Sequence, residues 1–221
     1  GLQVGDEVST ETTTWSCGCC VSCLVGSYNL CSTRKILGYS SNGIFTRFVI
    51  VPAERVHRLI PGISLLQGAI LEPLACCIHG CCEAISTKKS DVIVLAGLGT
   101  IGLLSAMILH ERKLILYSRP ETSKVRYDIA RSLNPFMVTT NATIVEDVMK
   151  ATDGYGADVF IECSGSLAAV NDGLKLLRRG GTFLQRGLQS KTDNTIVDFS
   201  QICYKTLNVT GSISSKHSSW E

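Results

Sequence analysis

Four cysteines in the run CGCCVSCLVGSYNLC, namely Cys17, Cys20, Cys23 and Cys31, are separated by two, two and seven residues. At that spacing one loop can wrap four thiolates around a tetrahedral zinc. A site of four cysteines is coordinatively closed, so its work is to fold and pin a loop, with no position left for substrate. Cys19 is the spare thiol of the run. A metal-free cysteine-rich loop and a disulfide pair are the competing readings. Eleven cysteines in 221 residues, an odd count, favour thiols in a reducing compartment.

A second constellation is Gly97-Leu98-Gly99-Thr100-Ile101-Gly102, which follows the apolar run DVIVLA and opens the apolar run IGLLSAMIL. A GxGxxG placed between strand and helix is a dinucleotide fingerprint. Gly97 permits the tight turn, Gly99 lets the backbone approach a pyrophosphate, Gly102 lets helix pack on strand, and the helix start offers amides to the phosphates. The ligand should lie where strand order reverses, which makes Glu162-Cys163-Ser164-Gly165 the opposite wall of the crevice. Gly187 and Gly211-Ser212, after the last two strands, face the nicotinamide half or are plain turn glycines.

The end of the second strand selects between nicotinamide cofactors. Ser118-Arg119-Pro120-Glu121 follows KLILY, where an NAD enzyme places a carboxylate on the adenine ribose. Counting by strand end puts Ser118 and Arg119 there, with Lys124 or Arg126 as a further charge, and favours NADP. The alternative puts Glu121 there and favours NAD. Glu72, in LEPLA, is a competent zinc ligand beside a proline, or an ordinary acid favoured by a helix N-terminus. His79 with Cys76, Cys77, Cys81 and Cys82 reads as a packed helix, because cysteine is often simply a small buried residue.

These residues need elements to hold them. From Leu71 onward, helix-like segments alternate with the strand-length apolar runs DVIVLAG, KLILYS, FMVTT, DVFIECSG, GTFLQRG and LNVTGSI. Six strands with helical crossovers imply an α/β, doubly wound parallel sheet. Residues 1 to about 71 are rich in Gly, Ser, Thr and Cys and read as irregular β structure, with FTRFVIVP (Phe45 to Pro52) the clearest strand. Asn208 falls in a run that reads as a buried strand, so it and Asn141 are chance glycosylation patterns. Both ends of the chain read as cut.

At 45% hydrophobic residues the chain can bury a core. A formal charge of +2 without a basic stripe gives nucleic acid no footprint, and the most apolar segments are about half the length needed to cross a bilayer.

The pattern CGxCxxCxxGxxxxC, complete with Gly18 and Gly26, resembles the structural-zinc lobe of the zinc-dependent medium-chain alcohol and polyol dehydrogenases. VGDEV before it, GIFTRFVIVPAERVHRLIPG after it, LEPLA, the glycine fingerprint and ECSG are similar to the same family. Arg47 and Phe48 depart from it, where an acidic residue and a tyrosine are common. The resemblance implies a GroES-like catalytic domain over residues 1–74 with the zinc lobe at about 14–35. A Rossmann domain then follows over 75–212, and 213–221 begin a return to the catalytic domain. It also implies hydride transfer between an alcohol or polyol and NAD or NADP in a cytoplasmic homodimer or homotetramer. A catalytic zinc would have Glu72 as ligand or near neighbour, its other ligands lying upstream of this chain. An L-threonine-type NAD dehydrogenase and a non-catalytic nucleotide-binding redox sensor are the alternatives.

Overall fold

The structure is a computed structural model describing residues 1–221. It divides into two compact units, one formed by Gly1–His79 with Ile213–Glu221 and the other by Gly80–Ser212.

The first unit carries four short strands, β1 (Val8–Thr10), β2 (Thr13–Trp15), β3 (Lys35–Ile36) and β4 (Val56–Arg58), and three short helices, α1 (Val21–Leu24), α2 (Leu65–Gly68) and α3 (Leu71–Ile78). Strands β1 and β4 pair antiparallel, with Ser9 opposite His57. Strands β2 and β3 pair across the base of the cysteine loop, Trp15 opposite Lys35, so the loop leaves and returns through one hairpin. Helix α2 begins at Ser64, whose hydroxyl accepts from the Gln67 amide while the Gln67 side chain accepts from the Ser64 amide. This reciprocal cap satisfies two of the donors every helix start leaves over.

The strand expected over Phe45–Pro52 is not formed. Phe45, Phe48 and Ile50 are exposed, and ladder pairing in this stretch of chain begins only at Val56. Composition rich in β-branched and aromatic residues marks a run able to form a strand, but a strand exists only through a partner, and nothing pairs with this one.

The second unit is a six-stranded, wholly parallel sheet of β5 (Val92–Ala96), β6 (Lys113–Ser118), β7 (Met137–Thr140), β8 (Ala157–Glu162), β9 (Leu177–Gln185) and β10 (Asn208–Gly211). Their order across the sheet is β10-β9-β8-β5-β6-β7. Between them run α4 (Thr100–Ile108), α5 (Lys124–Ser132), α6 (Ile144–Ala151), α7 (Leu167–Leu176) and α8 (Ser200–Lys205).

The unbroken apolar runs have a simple cause. Val94, Ile115, Phe160 and Phe183 are buried in one cluster, while Ile93, Leu95, Leu114, Leu116, Val159 and Ile161 are buried in the other. Successive residues of a strand point to opposite faces, and both faces are covered, so the central positions of these strands are apolar without alternation. Full burial of one such side chain is worth about 1.5–3 kcal/mol.

Strand β10 corrects the reading of a buried last strand: Asn208 is exposed and Val209 is 48% exposed. It is the sheet edge, with β9 its one neighbour, so burial falls away there.

Candidate metal and cofactor sites

In the first unit the cysteine loop folds as a tight knot. Gly18 and Gly26 both take positive φ, at 71° and 77°, where a side chain would be strained. These two turns carry Cys17, Cys20 and Cys23 around α1 and send the chain into a 3₁₀ turn, Tyr28–Leu30, that delivers Cys31.

All four sulfurs lie within 4.8 Å of one another, with Cys17 Sγ 3.9 Å from Cys23 Sγ and 3.7 Å from Cys31 Sγ. A tetrahedron of ~2.3 Å Zn–S bonds has sulfurs about 3.8 Å apart, so the gap fits zinc. Cys19 is exposed and lies outside the cluster.

The environment of the thiols is one a cation would suit. Backbone amides of Cys19 and Cys20 hold Cys17 below its ordinary range, and the Cys17 amide with the Thr33 hydroxyl brings Cys31 down to about 6. Against the Cys23 amide, hydrogen bonds with the Cys23 and Cys17 sulfurs push Cys20 up to about 11. Four neighbouring thiols cannot all ionise alone, and a divalent cation removes the conflict.

Glu72, in the first turn of α3, is half-buried, and its Oε1 accepts from Thr12 Oγ1 at 3.1 Å and from Cys76 Sγ at 3.5 Å. His79 Nε2 lies within hydrogen-bond distance of Asn29 Nδ2, at 3.3 Å. Cys77 and Cys81 are buried.

The second unit contains a cavity of about 410 Å³ at the point where strand order reverses between β5 and β8. Gly97, Leu98 and Gly99 form one wall, Cys163 to Ser166 the other, and Ser118, Arg119 and Arg126 the far end. Gly97 takes φ +100°, and a Cβ there would meet Ser164 at 3.0 Å. A Cβ on Gly99 would meet nothing within 4 Å, so the backbone there is open to a ligand. At Gly102 a Cβ would stand 1.9 Å from the Gly97 carbonyl oxygen, which explains the helix packing. Thr100, Ile101 and Gly102 build the first turn of α4 behind this wall and do not line the cavity.

Gly187 is also absent from the lining. A Cβ there would lie 2.3 Å from both Glu162 Oε2 and the Gly165 amide, so close packing demands the glycine. Glu162 explains that crowding. It is fully buried and accepts from the Ser164 amide at 2.7 Å, the Ser164 hydroxyl, the Gly165 amide at 3.0 Å and Gln185 Nε2 at 2.9 Å. One carboxylate thus fixes the loops after β8 and β9.

At the far end, the Thr122 amide donates to the Arg119 carbonyl, making Arg119–Thr122 a turn with Pro120 in its second position and Glu121 in its third. Tyr127 Oη donates to the Ser118 and Arg119 carbonyls at 3.2 and 3.1 Å. The turn leaves Ser118, Arg119 and Thr122 on the cavity, while Glu121 is exposed and does not line it.

Sequence reasoning missed Tyr117, Asp172, Asn141 and Asp193, which also line the cavity. Burial pushes the Tyr117 hydroxyl and the Asp172 carboxyl up, and the two bond to each other at 3.3 Å. Nothing in their local sequence marks them, because they meet from a strand and a crossover helix.

The family called zinc-binding dehydrogenase matches residues 97–221, and the alcohol dehydrogenase GroES-like domain matches residues 1–61. The chain belongs to this family of zinc-dependent medium-chain dehydrogenases. It is 38% identical over 224 residues to a sorbitol dehydrogenase of Halalkalibacterium halodurans, covering 100% of this chain and 65% of the relative. It is 34% identical over 226 residues to a D-arabitol-phosphate dehydrogenase of Enterococcus avium, covering 99% of this chain and 63% of that protein. The chain thus spans a little under two thirds of the length of these relatives. A crystal structure described as a zinc-binding dehydrogenase from Sinorhizobium meliloti, bound to NADP, superposes with TM-score 0.86 at 26% identity, covering 99% of this chain and 65% of that one.

Proposed function

We propose that the complete protein transfers a hydride between an alcohol or polyol and NADP. The observation that carries this reading is the cavity at the sheet's reversal point, with an open glycine backbone on one wall and Arg119 at the far end.

Gly97 to Gly99, leading into α4, hold the pyrophosphate, the loop Cys163 to Ser166 closes the opposite side, and Ser118 with Arg119 receives the ribose 2′-phosphate. A guanidinium offers fork-like donors to that phosphate, where a carboxylate would repel it. Gly187 acts indirectly, by letting the β9 loop pack on Glu162. Cys17, Cys20, Cys23 and Cys31 hold a structural zinc that fixes the first unit's loop. When bound, the nicotinamide supplies the hydride acceptor and a catalytic zinc the Lewis acidity. Glu72, oriented by Thr12, serves that catalytic metal as ligand or neighbour. A small-molecule alcohol or polyol is the substrate, the odd count of eleven cysteines favours the cytoplasm, and the exposed edge β10 supports a homodimer or homotetramer.

The test is reduction of NADP and NAD by the full-length protein with a panel of polyols, together with cofactor binding constants for the parent and Arg119→Ala. Loss of Arg119 should weaken NADP selectively by about 10–150-fold, the worth of a charge-assisted hydrogen bond of roughly 1.5–3 kcal/mol. Tighter NAD binding in the parent, with no selective loss in the variant, would overturn the cofactor assignment. Absence of polyol-dependent reduction of either cofactor would overturn the activity.

A further inference from the structure

Apart from the cysteine knot, the first unit draws a second set of metal-ligating atoms together. Glu11 lies just after β1, His57 in the middle of β4, and His217 in the segment that rejoins this unit at Ile213. The three are far apart in sequence, yet one atom from each falls within 4.8 Å of the others.

The arrangement has the features of a built metal site. Both imidazoles aim a nitrogen at the same carboxylate oxygen: His57 Nε2 is 3.2 Å and His217 Nδ1 3.7 Å from Glu11 Oε1. Tetrahedral ligands bound at ~2.0–2.1 Å stand about 3.3–3.4 Å apart, so a small ion fits among these atoms with little movement.

The surrounding bonds are those that steady ligands. Metal-bound histidines commonly donate the other ring N–H to a carboxylate, and His217 Nε2 lies 3.4 Å from Glu221 Oε1. The second oxygen of Glu11 accepts from Tyr28 Oη at 2.6 Å and faces Arg55 Nη1 at 3.4 Å, which fixes the carboxylate. His57 is held by stacking on Trp220, with centroids 4.4 Å apart and planes within 7°. Glu11 is 1% exposed and His217 55%, so the site has a buried anchor and one open side for entry. The Glu11 and Glu221 carboxylates outweigh the one guanidinium of Arg55, leaving net negative charge to receive a cation.

We infer that Glu11, His57 and His217 bind a zinc ion distinct from the cysteine-knot metal, tying the strands β1 and β4 to the returning C-terminal segment. Two imidazoles with one carboxylate is a borderline N/O set that suits zinc better than calcium or magnesium. Three protein ligands leave the fourth position to water. The inference does not depend on the proposed hydride transfer.

Native mass spectrometry of the full-length protein, purified in the presence of zinc chloride, counts ions per chain. His217→Ala and His57→Phe should each carry one zinc fewer than the parent, while Cys31→Ser separately loses the knot metal. Glu221→Gln, which weakens only the support of His217, should lower zinc affinity at this site by about 10–100-fold. Equal zinc counts in the parent and His217→Ala would overturn the inference. Diffraction at the zinc edge on the unmutated protein gives an answer free of any folding defect. A peak bounded by the three ligand atoms is expected, and no peak there would equally overturn it.

Discussion

Gly99 and Gly102 lie one helical turn apart in the fingerprint, and alanine at each should separate cofactor binding from stability. At Gly102 a new Cβ would stand 1.9 Å from the Gly97 carbonyl oxygen, well inside any tolerated approach, and that neighbour is backbone. Helix α4 or the turn after β5 must move. Overpacking of this sort costs about 1–3 kcal/mol, against roughly 1 kcal/mol gained from the higher helix propensity of alanine. With a backbone clash this close the cost lies at the upper end, leaving a loss of about 2 kcal/mol, or roughly 4–8 °C in Tm at ~2–4 °C per kcal/mol. At Gly99 a Cβ meets nothing within 4 Å, and the backbone is ordinary extended chain at φ −82°. Alanine caps a helix less well than glycine, by up to about 1 kcal/mol, so Tm should fall by no more than about 2–4 °C. The methyl group would instead stand on the open wall that the pyrophosphate approaches. Displacing one charge-assisted amide contact, worth roughly 1.5–3 kcal/mol, weakens binding by about 10–150-fold. Thermal unfolding and NADP titration of both full-length variants measure the contrast. If Gly102→Ala melted with the parent, or Gly99→Ala bound NADP as tightly as the parent, the assignment of the two glycines would be wrong.

Three further outcomes follow from other contacts. Cys31→Ser should lose one zinc per chain by metal analysis while Cys19→Ser keeps the full count, because only Cys31 belongs to the four-sulfur cluster. Glu162→Gln replaces one acceptor oxygen by a donor facing Gly165 or Gln185, so a loss of about 1–3 kcal/mol should appear as a lower Tm together with weaker NADP binding; parental values in both would refute the clamp. Burial raises the Asp172 carboxyl above the ordinary 3.8, so the folded chain gives up this proton at a higher pH than the unfolded chain does. Stability therefore falls as pH rises from the unfolded value through the folded one. Asp172→Asn should raise Tm at neutral pH and lose that advantage below about pH 3.8, where both chains are uncharged at this position; a Tm difference independent of pH would refute the burial argument.

Local patterns carried much of the architecture. The doubly wound sheet was legible because strands covered on both faces are apolar without alternation at their central positions, as Ile93 to Ala96 and Leu114 to Tyr117 are. The four-cysteine knot was legible because all its ligands come from one loop, so spacing alone constrains their geometry. The glycine fingerprint was legible because its spacing lies within one strand-turn-helix unit, where Gly102 packs on the Gly97 carbonyl, although Gly97 is also required by the close approach of Ser164 from the loop after β8. Where a feature depends on a partner distant in sequence, the residues gave less: strand order pointed to Glu162–Gly165 as the opposite wall, but the choice between Arg119 and Glu121 stayed open. Phe45 to Pro52 has the composition of a strand but finds no neighbour to pair with, and Asn208 looked buried until the sheet order put β10 at the edge. Tertiary structure alone showed that Arg119 lines the cavity while Glu121 does not, that Glu162 fixes two loops, and that Gly187 is required by packing. It alone brought Glu11, His57 and His217 to one point, since three single residues separated by 46 and 160 positions share no periodicity a sequence could display. Sequence thus determined the elements and the sites held within one loop, whereas the sites assembled from several elements were decided by how the chain returns on itself.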